Sequence, residues 1–310
     1  MGQFDAELME GATNGKSWLP PERDVTIVEV GPRDGLQNEA VSVPTWVKIA
    51  FVDALTYAGM PVVEVTSFVN PKAVPQLADA AEVMTGFQRA RGTRYPVLVP
   101  NQRGFDRALK SGADAIAVFT SATDAFAQAN VGTSIDGTFE RFEPVVLGAH
   151  QRGLWVRGYV SVAFGCPYSG AVEPRAAISV AKRLLELGCD EVCLADTIGS
   201  ATPDSVRQAL GAARAAIPID RLALHFHDTA GTALANINEA LDFGIRTFDS
   251  AAGGLGGCPF APGAPGNLAT EQLVGRIEAL GLRTGTQLHA VSAALDIVRP
   301  YIPRLGRVTT

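Results

Sequence analysis

Short apolar, β-branched runs recur along the chain with longer helix-patterned stretches between them. Eight such runs stand at residues 25–30 (VTIVEV), 62–66, 95–99, 114–119, 155–161, 190–195, 221–226 and 245–249. Most are nearly continuous in apolar character rather than alternating, the pattern of strands covered by helices on their outer face. The intervening segments 44–58, 174–187 and 231–243 carry helical periodicity. Gly59, Gly112, Gly153, Gly188 and Gly244 each follow a helical run and precede a strand, where a left-handed C-cap is wanted. Eight βα units without a change of composition between halves predict a (β/α)8 TIM barrel. A doubly wound open sheet is the competing architecture. Residues from about 267 to 303 read as two further helices beyond the eighth strand, extra C-terminal helices that cap the barrel or build an interface.

In such a barrel the functional groups gather at the carboxyl ends of the strands, because the βα loops converge there. The polar and glycine-rich stretches fall at those ends: 31–39 (GPRDGLQNE), 161–170 (SVAFGCPYSG), Asp196-Thr197, 225–229 (HFHDT) and 251–267 (AAGGLGGCPFAPGAPGN). His225 and His227, two apart at the end of an apolar strand, point to the same side and make half a metal site. A hydrogen-bonded pair of buried histidines is the bland alternative. Asp34 leaves the first strand and offers an oxygen ligand from across the barrel, while Arg33 offers a fork of donors for an oxyanion. An ion pair at a turn is the plainer reading of these two. The glycine-rich stretch does not fit G-x-G-x-x-G, because Pro259 takes the third glycine's place, so a dinucleotide site is not expected. It reads instead as a lid or a surface connection carrying Cys258, a candidate for acid-base chemistry. His150 and His289 lie in helical regions away from the mouth and read as structural.

Composition narrows the partners. The 310 residues are 47% hydrophobic and 19% charged with a net charge of −6, so no basic field attracts nucleic acid or an anionic membrane. None of the four cysteines forms a Cys-x-x-Cys pair, which argues against a zinc finger or a disulfide scaffold and fits a reducing cytosol. Residues 1–24 lack the apolar segment of a signal peptide and carry early acids, so they read as a polar tail preceding a single catalytic domain at 25–310. A cytoplasmic location is expected. Gly15-Lys16-Ser17 fails as a phosphate-binding loop because Glu10 occupies the required earlier glycine position.

With those motifs in view, the chain resembles 3-hydroxy-3-methylglutaryl-CoA (HMG-CoA) lyases, within the wider group of metal-dependent barrel lyases and acyl-CoA synthases. The segments carrying the resemblance are EVGPRDGLQNE (29–39), EVTSFVNPKAVPQ (64–76), RGYVSVAFGCPYSG (157–170), ADTIG (195–199), HFHDT (225–229) and GLGGCPFAPGAPGNLATE (254–271). The resemblance spans about residues 25 to 285. It implies a divalent cation, Mg2+ or Mn2+, bound by Asp34, His225, His227 and Asn267. Asn267 comes from the resemblance and not from spacing. Arg33 is then implied to stabilise the enolate oxygen and Cys258 to act in proton transfer. Glu64 and Asp196 are implied to support or line the site, with Asn38 and Tyr159 as lining residues.

The implied reaction cleaves HMG-CoA to acetyl-CoA and acetoacetate, a step of leucine breakdown and ketone-body formation, in a homo-oligomer (dimer or tetramer). The cation chelates the substrate hydroxyl and carboxylate and lowers the hydroxyl's pKa, with His225 or Asp34 as base. Pro262 and Pro265 in the lid, and Cys193 where a serine is common in the family, are departures that bear on the substrate's acyl portion. A lyase for a related 3-hydroxy-3-methylacyl-CoA, a Claisen-type synthase and a non-catalytic acyl-CoA or protein-binding barrel are the rival readings.

Overall fold

The eight apolar runs form the staves of one parallel barrel in a computed structural model that describes residues 22–257 and 266–305. The staves are β1 (Thr26–Glu29), a second stave split into β2 (Val62–Val63) and β3 (Thr66–Ser67), β4 (Pro96–Leu98), β5 (Ala115–Ser121), β6 (Trp155–Ser161), β9 (Glu191–Asp196), β10 (Leu222–Phe226) and β11 (Thr247–Ser250). A small antiparallel hairpin, β7 (Gly165–Cys166) with β8 (Gly170–Ala171), stands in the loop after β6.

Sheet order runs β2-β1-β11-β10-β9-β6-β5-β4-β3. Because β2 and β3 are successive halves of one stave, the split closes the cylinder: β2 pairs with β1, and β3 pairs with β4. The backbone between the halves keeps both sides bonded, with Glu64 N–H donating to Glu29 O at 2.9 Å and Val65 N–H to Pro96 O at 3.0 Å. The expected barrel is therefore the observed one, and the open-sheet alternative falls.

Helices coat the outside because each carries an apolar stripe at helical spacing. In α6 (Pro174–Leu187) proline opens the helix, Ala177, Ile178, Ala181 and Leu184 face the sheet, and Gly188 closes it at φ 119°. All five predicted C-cap glycines have positive φ. Gly59 is doubly constrained, since an added Cβ would also meet Gly285 O at 2.5 Å. Of the two helices expected after the eighth strand, α9 (Thr270–Ala279) is the barrel's own eighth helix, and α10 (Leu288–Val298) is the additional one. The segment entering α10 is bonded to the end of α1 (Thr45–Tyr57) through Gln287 N–H to Ala58 O, 2.8 Å. Among the described residues no helix is long and apolar enough to cross a membrane.

Inside the barrel the strands' two-residue alternation turns every second side chain inward. Leu98, Ala117, Tyr159, Cys193 and Ala223 make a small apolar cluster there, distinct from the larger core between sheet and helices. Glu64, Arg157 and Asp249 share that interior at 1% exposure or less, so their charges must be matched within it.

Candidate metal centre

At the end of β1 the chain turns at once into a π-helical turn, Gly31–Gly35, a geometry common at functional sites. Val30 O receives the N–H groups of Arg33, Asp34 and Gly35 at 2.7 to 3.1 Å, which aims the Arg33 and Asp34 side chains at the mouth. The turn has no room for side chains at its flanks. A Cβ on Gly31 would lie 2.5 Å from Glu29 Oε1, and one on Gly35 would lie 2.7 Å from Leu255 Cβ.

Across the barrel, His225 is the penultimate residue of β10 and His227 follows the strand's end, both about 5% exposed. Their rings lie 5.2 Å apart. One ligand atom each from Asp34, His225 and His227 falls within 4.8 Å of the others. The loop after β11 returns alongside this strand end: Asp228 N–H donates to Gly266 O at 2.8 Å, Leu268 N–H to Phe226 O at 3.1 Å, and His227 bridges to Asn267. That return lays Asn267 against the cluster. Its Nδ2 donates to Asp34 Oδ2 at 3.0 Å and to Leu255 O at 2.9 Å. Gly256 permits the approach, since a Cβ there would be 2.8 Å from Asn267 Nδ2.

The donor set fits a divalent cation. Asn267 Oδ1 and His227 Nδ1 are buried without a hydrogen-bond partner among the described residues. Two imidazoles, a carboxylate and an amide oxygen suit a hard to borderline metal. Electrostatics keep the ligands ready. Burial opposes ionisation of Asp34, but Arg33 and then the histidines and Asn267 outweigh it and hold its carboxyl at about 2. Burial, aided by His225, lowers His227 to about 4, so it is neutral at neutral pH.

Beneath the cluster runs a chain of buried charges. Arg33 pairs with Asp34 through Nη1 and with Glu64 Oε2 through Nη2 at 2.7 Å. Tyr159 donates its hydroxyl to Glu64 Oε2 at 3.2 Å and accepts from Arg157 Nη1 at 2.8 Å. Arg157 Nη2 binds Asp249 Oδ1 at 2.7 Å, and Asp249 Oδ2 lies 3.1 Å from His225 Nδ1. Asp34 and His225 are thus joined from behind as well as in front. Burial raises the Asp249 carboxyl, but Arg157 overrides it and the net direction is down.

Arg33, Asp34, His225 and His227 floor a cavity of about 380 Å3. Asn38, Tyr159 and Thr197 line it beside the cluster, and Val69, Phe119 and Phe126 give its wall an apolar part. Asn38 also donates to Asp34 O at 3.1 Å. Asp196 has a different place from a cavity liner. Its carboxylate accepts from Ser200 N and Ala201 N, both at 2.9 Å, and so shapes the loop after β9. Burial, against those bonds, pushes its pKa up to about 6. Cys258, Pro262 and Pro265 lie outside the described residues. Cys193 is wholly buried, its Sγ 3.8 Å from Asp249 Oδ2. His150 bonds Gly188 O at the end of α6, the structural role expected of it.

Sequence reasoning missed Arg157, Asp249 and Glu29. Glu29 and Arg157 are each a charged residue inside a largely apolar strand, and that break in pattern was the available signal, whereas Asp249 sits in the polar strand Thr247–Ser250 and gives no such break. Glu29 accepts from Gly31 N, Ala252 N and Thr270 Oγ1 at 2.6 to 3.0 Å, tying the first turn to the loop after β11.

The HMGL-like family model matches residues 24–298. The cytoplasmic 3-hydroxy-3-methylglutaryl-CoA lyase of Rattus norvegicus is 51% identical over 88% of this chain and 80% of its own length. The mitochondrial hydroxymethylglutaryl-CoA lyase of the same organism is 48% identical over 94% and 90%. The crystal structure of the HMG-CoA lyase from Brucella melitensis superposes with a TM-score of 0.89 at 49% identity, covering 91% of this chain and 99% of that one.

Proposed function

The chain belongs to the HMGL-like family, and from that premise we propose that it is an HMG-CoA lyase, cleaving (S)-3-hydroxy-3-methylglutaryl-CoA to acetyl-CoA and acetoacetate. Residues 25–310 act as one catalytic domain. The observation that carries the reading is the convergence of Asp34, His225 and His227 at the floor of a cavity whose next wall is Arg33.

Asp34, His225, His227 and Asn267 would hold a divalent cation, Mg2+ or Mn2+. When bound, it supplies Lewis acidity and a template for the substrate's oxygens. The protein's own groups do the rest. The substrate hydroxyl gives its proton to His225 or Asp34, the C2–C3 bond breaks, and its electron pair moves into the thioester as an enolate. The carbon left behind becomes the ketone of acetoacetate. Arg33, locked by two carboxylates, presents a fixed cation to charge that grows only as the bond breaks, which raises rate rather than affinity. The apolar part of the wall excludes water from the enolate, and Cys258 is the proposed group for its reprotonation.

The test is cleavage of HMG-CoA with acetoacetate as readout, before and after chelation. Activity lost with the metal and restored by Mg2+ or Mn2+ supports the reading, and full turnover of the chelated protein overturns it.

A further inference from the structure

The two histidines of the cluster are not held alike. His227 Nδ1 is buried with no partner among the described residues. His225 Nδ1 lies 3.1 Å from Asp249 Oδ2, a carboxylate only 1% exposed. The contact follows from the parallel register of β10 and β11, which sets His225 directly beside Asp249. We propose that Asp249, fixed by Arg157, is a positioning residue that selects the tautomer of His225 and turns its Nε2 lone pair toward the cation site. The inference rests on the reading that Asp34, His225 and His227 hold a metal.

A carboxylate can only accept, so the nitrogen facing it must carry the proton. With Nδ1 protonated, a neutral imidazole keeps its free lone pair on Nε2. A carboxylate behind a ligating histidine both fixes the ring and raises its basicity. Asp249 is itself constrained. Its Oδ1 is taken by Arg157 Nη2 at 2.7 Å, so only Oδ2 remains for His225, with Cys193 Sγ at 3.8 Å as a second neighbour. Arg157 in turn is held by Tyr159 through Nη1 and by an ion pair with Glu191 at 2.9 Å. Rotation of the carboxylate would break the Arg157 pair in a region without water access.

This arrangement makes Asp249→Asn a sharp test, because the side chain is isosteric but has one acceptor oxygen. Arg157 is a donor only and claims that oxygen. The amide N–H2 is then left facing His225 Nδ1, and two donors cannot share the contact. His225 must shift its proton to Nε2, the nitrogen needed for the cation.

The measurement is 15N NMR of histidine-labelled, metal-free protein, in which only four histidines give signals and His225→Ala identifies the relevant pair. It is combined with Mn2+ binding followed by electron paramagnetic resonance. The expected result is a protonated Nδ1 on His225 in the wild type, a protonated Nε2 in D249N, and Mn2+ affinity lowered roughly 10- to 100-fold in D249N, with thermal melting showing the variant folded. A wild-type His225 protonated on Nε2 overturns the proposal, as does folded D249N with unchanged Mn2+ affinity. Should D249N fail to fold, the wild-type tautomer decides. The underlying metal reading fails separately, if H225A and H227A bind Mn2+ as the wild type does.

Discussion

Asn267 and Asp34, 233 residues apart in sequence, meet at 3.0 Å through an amide N–H donated to a carboxylate oxygen. The contact uses only the nitrogen of Asn267 and leaves its buried Oδ1 without a partner among the described residues. It also ties the position of the loop after β11 to the geometry of the proposed cation site. Asn267→Ala is expected to lower metal retention at least roughly tenfold and to reduce turnover with it. Metal content after dialysis and acetoacetate release check this, and wild-type values for both would remove Asn267 from the ligand set.

Arg33 spans two carboxylates with separate guanidinium nitrogens. Lysine offers one point charge and cannot reach both at that geometry. Arg33→Lys is therefore expected to lower kcat by about 10²- to 10³-fold with a much smaller change in KM. Steady-state kinetics distinguish this from a simple loss of substrate binding, which would appear in KM alone.

Tyr159 stands between Glu64 and Arg157, donating its hydroxyl to the first and accepting from the second. Tyr159→Phe keeps the ring and deletes both bonds, leaving an arginine nitrogen and a carboxylate oxygen each short of a partner. The expected cost is about 1 to 3 kcal/mol of folding stability. Denaturant unfolding measures it, and an unchanged midpoint would show that the neighbours rearrange freely.

Glu29 sets a pH dependence. Burial pushes its carboxyl up to about 8, against the opposing hydrogen bonds from Thr270, Ala252 and Gly31. Its folded pKa lies above its ordinary value of 4.5, so the folded state holds the proton more tightly. The stability this group contributes is full below pH 4.5 and lost as pH rises through about 8, on the order of a few kcal/mol. Glu29→Gln retains the oxygen for the two backbone N–H groups and presents its amide to Thr270 Oγ1. It is expected to fold normally and to flatten the stability profile across that window. Melting temperature from pH 5 to 9 is the readout, and parallel profiles for the two proteins would refute the assignment.

The sequence alone determined the eight βα units, the end of the barrel where chemistry gathers, and the shared direction of His225 and His227. These are local properties: strand and helix periodicities, the glycine that each helix end demands, and the two-residue alternation that turns alternate side chains one way. Tertiary structure decided what stands beside what. The lateral register of β10 and β11 places Asp249 at His225, and the split second stave lets the barrel close around Glu64. The returning loop brings Asn267 to Asp34, a contact that family resemblance had implied but that no spacing encodes. Neighbours across a sheet are fixed by strand order and closure, which depend on the whole chain's packing and not on any segment of it.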